Sequence, residues 1–219
     1  MSRVLPILFN TEMVRAILED RKTCTRRIIK PQPQMPLTFT FAGYKSGTWG
    51  YPSNDAWKYW GEKYRLPDNL TEEDIKRCWK SPCNADDILY VRETFCYHEY
   101  AKEPWYGYKA DGDYRDVDMR WTPSIHMPKE AARIFLKVTN VRVERLQDMT
   151  EEEARNEGCI YGPLFEESGY EIPALSRFPR LWNSTIKKFD LDKYEWEANP
   201  WVWVIEFERC EKPENFGNS

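Results

Sequence analysis

The chain has 219 residues, a formal charge of -4 and 31% charged residues, enough for one large domain or a smaller fold carrying insertions. Its acidic balance excludes a global attraction to nucleic-acid backbone, so any such contact has to be local, and a small nucleotide-like ligand fits equally well. No run of 18 apolar residues predicts a membrane span, Met1–Pro6 lacks the long apolar segment of a secretory leader, and six cysteines in so long a chain need not be staples; a reduced, cytoplasmic protein without membrane contact is expected.

Val4 to Phe9, β-branched and aromatic, is a first strand with Pro6 near its start. Asn10 or Thr11 caps a helix whose apolar stripe is Met13, Val14, Ile17 and Leu18 and whose end falls near Asp20. Thr25 to Ile29 is a second strand, stopped by Lys30-Pro31-Gln32-Pro33. Residues 34 to 82 show no clean period and carry many aromatic residues. They suggest an insertion, with a strand at 37 to 42 and a helix after Thr71. Asp87 to Phe95 is the clearest early strand, and Tyr106 to Ala110 another. Ile134, Leu136 and Val138 alternate, as do Val141 and Val143, but the phase changes across Thr139-Asn140, which predicts a bulge or sharp bend. Thr150-Glu151-Glu152-Glu153 has capping-box spacing for a short helix that runs to Glu157 and ends at Gly158. Leu181, Trp182, Thr185, Ile186 and Phe189 mark a later helix limited upstream by Pro179, and Trp201, Trp203, Ile205 and Phe207 alternate in a closing strand with Trp203 inward. About six strands, too closely spaced for βαβ crossovers, with three short helices predict an α+β domain. Its architecture is a small curled β-barrel with flanking helices and aromatic-rich insertions.

The chemistry concentrates in Arg21-Lys22-Thr23-Cys24-Thr25-Arg26-Arg27, where the first helix hands over to a strand. A concave site for a phosphate, carboxylate or polarised carbonyl wants such side chains, and a solvated corner, with cations at a helix C-terminus, explains them as well. A threonine hydroxyl is a weak nucleophile unless a base takes its proton. Lys22, three residues before Thr25 and partly desolvated, can be that base; Arg26 or Arg27 can steady negative charge; Glu157, at the end of the capped helix, can return a proton to a leaving group. His126, in the loop between Pro123 and Pro128, is a candidate base or ligand contact, set against a structural hydrogen bond. Trp121 can stack a base, one of ten tryptophans alongside thirteen tyrosines. Cys78-x4-Cys83 and Cys96-x-His98 offer zinc-type atoms, but at spacings wider than the usual knuckle and across a predicted strand, so buried free cysteines, no metal and no cofactor are expected.

Ile7-Leu8-Phe9, Met13 to Leu18 and Arg21-Lys22-Thr23-x-Thr25-Arg26-Arg27 together resemble the ASCH domain superfamily, which has a PUA-like β-barrel fold. Asp86 to Thr94, Trp121-x-Pro123 to Pro128 and Asn199 to Val204 resemble its phage and prophage branch. The resemblance covers most of the chain as interrupted blocks and implies a single domain over residues 1–219, with insertions at about 34–82 and 160–178. It implies RNA binding, RNA cleavage or, as in a small bacterial branch, hydrolysis of the acetyl amide of N4-acetylcytidine with a lysine base, a threonine nucleophile and a glutamate acid, matched here by Lys22, Thr25 and Glu157. Three functions follow as expectations. One is a hydrolase for an amide on a modified nucleobase, nucleoside or nucleotide. The second is a non-catalytic RNA or single-stranded DNA module using Arg21, Lys22, Arg26, Arg27 and Trp121. The third is a phage structural or host-interaction protein, acting in the host cytoplasm if phage-encoded.

Overall fold

Two long strands carry the fold: Phe135–Arg145, whose apolar residues alternate with polar ones on either side of a phase change, and Trp201–Cys210, whose apolar run is buried on both faces. The computed structural model describes residues 2–33, 38–39, 49–50, 72, 75–76, 79–98, 103–112, 120–159, 162–163, 171–214 and 216. In chain order the regular elements are β1 (Val4–Leu8), α1 (Thr11–Leu18), β2 (Cys24–Ile28), β3 (Thr38–Phe39), β4 (Trp49–Gly50), β5 (Ile88–Arg92), β6 (Phe95–His98), β7 (Trp105–Tyr108) and β8 (Phe135–Arg145), then α2 (Glu151–Asn156), β9 (Gly162–Pro163), β10 (Glu171–Ile172), α3 (Ala174–Thr185), α4 (Leu191–Tyr194) and β11 (Trp201–Cys210). The class is α+β. A five-stranded sheet runs β1-β5-β8-β11-β2, parallel between β1 and β5 and antiparallel elsewhere, beside the two-stranded pairs β3/β4, β6/β7 and β9/β10.

Asn140 faces Glu206 while Val138 faces Phe207, which leaves Thr139 as the extra residue of a bulge. That is where the alternation changes phase in the sequence, and a bulge adds bend and twist to its strand. The bend matters for closure. Four ladder spacings in a flat sheet would set β1 and β2 roughly 19 Å apart. Yet Arg27 Nη2 on β2 donates to the Leu8 carbonyl on β1 at 3.0 Å. The sheet is therefore curled until its edges meet through a side chain. No backbone ladder joins β1 to β2 among the described residues, so the expected closed barrel is replaced by an open curl.

β11 is buried on both faces. Val202 and Val204 pack with Leu146, Met149 and the Ala174, Phe178 and Trp182 stripe of α3. On the other face Ile205 and Phe207 meet Ile7, Phe9, Val14 and Ile17, and Trp203 packs with Ile29, Ile75 and Val143. Trp203 is buried, as its phase in the strand predicts.

Several boundaries differ from expectation. Asp87 to Phe95 is two strands, because Glu93 leaves the ladder: its amide meets Met127 Sδ at 3.1 Å and its buried carboxylate takes Arg133 Nε at 2.9 Å. The strand expected at 106–110 is Trp105–Tyr108, paired with β6 in a hairpin outside the main sheet. Pro179 does not limit the late helix but lies inside it. The helix starts earlier because Glu151 accepts the Ala174 and Leu175 amides, both at 2.9 Å, which satisfies two of its orphan donors. The apolar stripe then outweighs the hydrogen bond that proline removes. Phe189 lies beyond the helix, in a 3-10 turn, and is 77% exposed. Of the strand at 37 to 42, Thr38 and Phe39 are strand. Of the helix after Thr71, positions 72, 75 and 76 are helical, and the remainder of both lies outside the described residues. The segment expected as an insertion at 160–178 includes the first residues of α3. No helix among the described residues is long and apolar enough to cross a membrane.

Candidate functional site

The site is assembled by the ends of two short helices. Asn10 caps α1, accepting the Met13 amide at 2.8 Å. After Leu18 the chain turns through Asp20 at φ 56°, and the amides of Arg21 and Lys22 both return to the Ala16 carbonyl, at 2.8 and 3.0 Å. This folds Lys22 back toward the sheet. From the other side, α2 is started by a capping box between Thr150 and Glu153 and stopped at Glu157, with Gly158 at φ 92°. A Cβ on Gly158 would stand 2.9 Å from Ala16 Cβ and 3.4 Å from Lys22 Cβ. Glycine thus serves twice here, for the left-handed φ and for the close approach of the two helix ends. Lys22 and Glu157 form an isolated antiparallel bridge, supported by the Thr23 amide on Asn156 O at 2.8 Å.

The side chains complete what the backbones begin. Lys22 Nζ donates to Glu157 Oε2 at 2.6 Å, to the Glu157 carbonyl at 2.8 Å and to the Cys24 carbonyl at 2.8 Å. The full donor complement of an ammonium is matched to three acceptors, with both side chains buried. Glu157 Oε1 faces Arg26 Nη1 at 3.4 Å. Arg26 in turn donates to Glu144 Oε1 from Nε at 2.9 Å and from Nη2, and lies 3.4 Å from Glu153. Arg142 binds Glu144 Oε2 at 3.3 Å and also Glu153 and Glu206. Burial opposes the Arg26 charge, but Glu157 and Glu144 outweigh it and raise its pKa. Burial also pushes the Cys24 thiol up to about 12, with Glu157 adding to the effect, so this thiol stays protonated and is no nucleophile.

Alternation along β2 puts Thr25 and Arg27 on the opposite face from Cys24 and Arg26, toward the inside of the curl. Thr25 is 1% exposed and stands opposite Ile205. Arg27 is half-buried beside the Phe9 ring, its guanidinium 5.3 Å from the centroid, while Lys22 Nζ lies 5.6 Å from the same ring. Burial lowers the Arg27 pKa, with the charge of Glu157 acting in the opposite direction. No carboxylate among the described residues lies within ion-pair distance of Arg27, unlike Lys22 and Arg26. A hydroxyl, an amine–carboxylate pair and a guanidinium are groups that nucleophilic acyl transfer can use, although the acceptors of Lys22 Nζ are Glu157 and the Cys24 carbonyl and not Thr25.

The remaining sequence candidates are spread more widely. Arg21 pairs with Glu19 and donates to the Gly158 carbonyl at 3.2 Å, so it braces the turn. The Arg26 side chain is fully buried, engaged with carboxylates rather than open to a ligand. Trp121 is half-buried next to the Phe95–Thr122 bridge. His126 is exposed at the end of a 3-10 turn, Ser124–His126. A link from this turn toward the site runs through Arg92, which donates to the Ile125 carbonyl and is the register partner of Leu8, the residue that holds Arg27. Cys83 is buried in the core around Phe9, and Cys96 lies in the β6/β7 hairpin with its Sγ 3.3 Å from His98 Nε2. Cys78 is outside the described residues. Among the described residues no three His, Cys, Asp or Glu side chains are placed to hold a metal ion. Sequence reasoning missed Glu144, Glu153 and Arg142. Arg142 and Glu144 alternate with Val141 and Val143, and that pair of opposite charges on one face of the strand was the available signal. No protein-family model, no curated protein and no solved structure matches the chain.

Proposed function

We propose that the protein is a hydrolase acting on an amide of a modified nucleobase or nucleoside, built on a PUA-like curl of the ASCH type. The observation that carries this reading is the contact between Lys22 Nζ and Glu157 Oε2 at 2.6 Å, both buried and 135 positions apart, at the start of the strand that holds Thr25. The Arg27 bridge across the strand gap supports the PUA-like part of the reading.

In the proposed reaction Lys22 first cedes a proton to Glu157 Oε2, 2.6 Å away, and as the neutral amine takes the Thr25 hydroxyl proton while Thr25 Oγ attacks the amide carbonyl. Arg27 stabilises the negative charge that develops on the carbonyl oxygen. The C–N bond then breaks, the departing amine takes the proton back, and water hydrolyses the acyl-threonine ester to free the acid and restore the hydroxyl. A strand-binding module finds less support, because Arg21 and Arg26 are already engaged by Glu19 and Glu144.

The test is turnover of N4-acetylcytidine and related N-acylated nucleosides by wild type, Thr25→Val and Lys22→Met. Wild type should release the free amine, Thr25→Val should abolish turnover while it still binds, and Lys22→Met should cost about as much, since members of one unit disable the same step. Equal rates for wild type and Thr25→Val would reject Thr25 as nucleophile.

A further inference from the structure

Arg26 stands where the fold alone would take an apolar residue. Its register partner on β11 is Val204, and its neighbour two positions along the same face of β2 is Ile28, both part of the apolar cluster beneath α3. Buried ionic groups are often replaceable by apolar ones without loss of stability, so what Arg26 contributes has to be read from its contacts. The geometry here is specific. Lys22 holds Glu157 Oε2 at 2.6 Å from one side, and Arg26 Nη1 faces Oε1 at 3.4 Å from the other. Arg26 is itself prevented from swinging, because its Nε is fixed on Glu144 Oε1 at 2.9 Å, and Glu144 is held by Arg142. Arg142 also binds Glu153, whose carboxylate closes the capping box at the start of the helix that Glu157 ends.

We propose that Arg26 is a positioning residue, which fixes the plane of the Glu157 carboxylate so that Oε2 is presented to Lys22. Its consequence for catalysis rests on the hydrolase reading above; its effect on Glu157 does not. Charged and titratable groups reach Glu157 and this network from every element packed around it. They are Lys22, Cys24, Arg26 and Arg27 at and before β2, Arg142 and Glu144 on β8, Glu206 on β11, Glu153 on α2 and Cys159 beyond it. Of these, Lys22 and Arg26 are the cations in direct contact with its carboxylate. Without Arg26, Oε1 loses its partner and the carboxylate can rotate about its last bond.

The experiment combines steady-state kinetics on N4-acetylcytidine with crystal structures of the variants, read at the Lys22 Nζ–Glu157 Oε2 contact, 2.6 Å in the wild-type arrangement. The informative variants are Arg26→Lys and the charge-conserving double variant Arg26→Met/Glu144→Gln, which removes one cation and one carboxylate together and so avoids an unbalanced buried charge. In the folded double variant the Glu157 carboxylate should rotate and its Oε2 should leave hydrogen-bond range of Lys22. Its kcat should fall about 10–100-fold with KM little changed, the cost of a misplaced group. Arg26→Lys, which keeps the charge, should keep the fold but not recover the kcat that depends on the fixed fork. A Glu157 carboxylate that keeps its plane and its Lys22 contact in the folded double variant, or an unchanged kcat in an enzyme that does turn over, would overturn the positioning role. No turnover by wild type together with a rotated carboxylate in the double variant would sink the hydrolase reading and leave the positioning of Glu157 standing.

Discussion

Replacing Lys22 by methionine keeps the length and bulk of the side chain and deletes one charge with three hydrogen bonds, to Glu157 Oε2, Glu157 O and Cys24 O. Packing loss is small, so the change isolates the electrostatic term. Breaking a buried pair by removing one partner costs about 3–5 kcal/mol, mostly from the stranded charge. Arg26 still faces Glu157 at 3.4 Å, which puts the expected loss near the lower end, about 3 kcal/mol. Urea denaturation followed by tryptophan fluorescence reads this directly. With an m-value of about 3 kcal/mol/M, the midpoint should fall by about 1 M. The companion variant Lys22→Met/Glu157→Met removes both charges and should lie within about 1 kcal/mol of wild type, far above the sum of the two single losses. A fall of less than about 0.3 M for Lys22→Met, or losses that simply add in the double variant, would refute the idea that the two groups are a coupled buried pair.

Gly158→Ala should destabilise by about 1–3 kcal/mol, from the left-handed φ of 92° and the contact with Ala16, and lower Tm by several degrees; a melt within about 1 °C of wild type would show that the two helix ends can part freely. Asp87 gives the acid limb of stability. Burial acts to raise its pKa, but the Arg3 guanidinium and the Arg3 and Asn84 amides hold it below the ordinary aspartate value. A depressed carboxylate contributes stability that is present above its unfolded value and lost as pH falls through the folded one. Wild type should therefore weaken between about pH 5 and pH 2, and Asp87→Asn should show a flatter dependence from a lower starting point; parallel curves for the two would remove Asp87 from the account.

Features that depend on a few neighbouring residues were legible in the sequence. The Asn10 cap, the Thr150–Glu153 capping box and the stop at Gly158 are where their residue types place them, because each satisfies backbone groups within four positions. The bulge at Thr139 shows as a broken alternation, since a side-chain period of two cannot absorb an extra residue unnoticed. The pairing of Lys22 with Glu157 came from the family resemblance, with Lys22 expected partly desolvated; that both side chains are closed off from water was not legible, because the desolvation of a charge depends on which groups arrive around it. The same holds for Arg26, which on spacing alone is one more exposed cation and in the folded chain is closed in by carboxylates from β8 and α2. It holds as well for Pro179, whose local preference is overruled by the Glu151 carboxylate and the stripe of Ala174, Phe178 and Trp182 packed on β11. Short-range rules decided where the caps and the bulge lie. Tertiary contact decided which charges are buried, because a charge leaves water only when distant parts of the chain bring it partners.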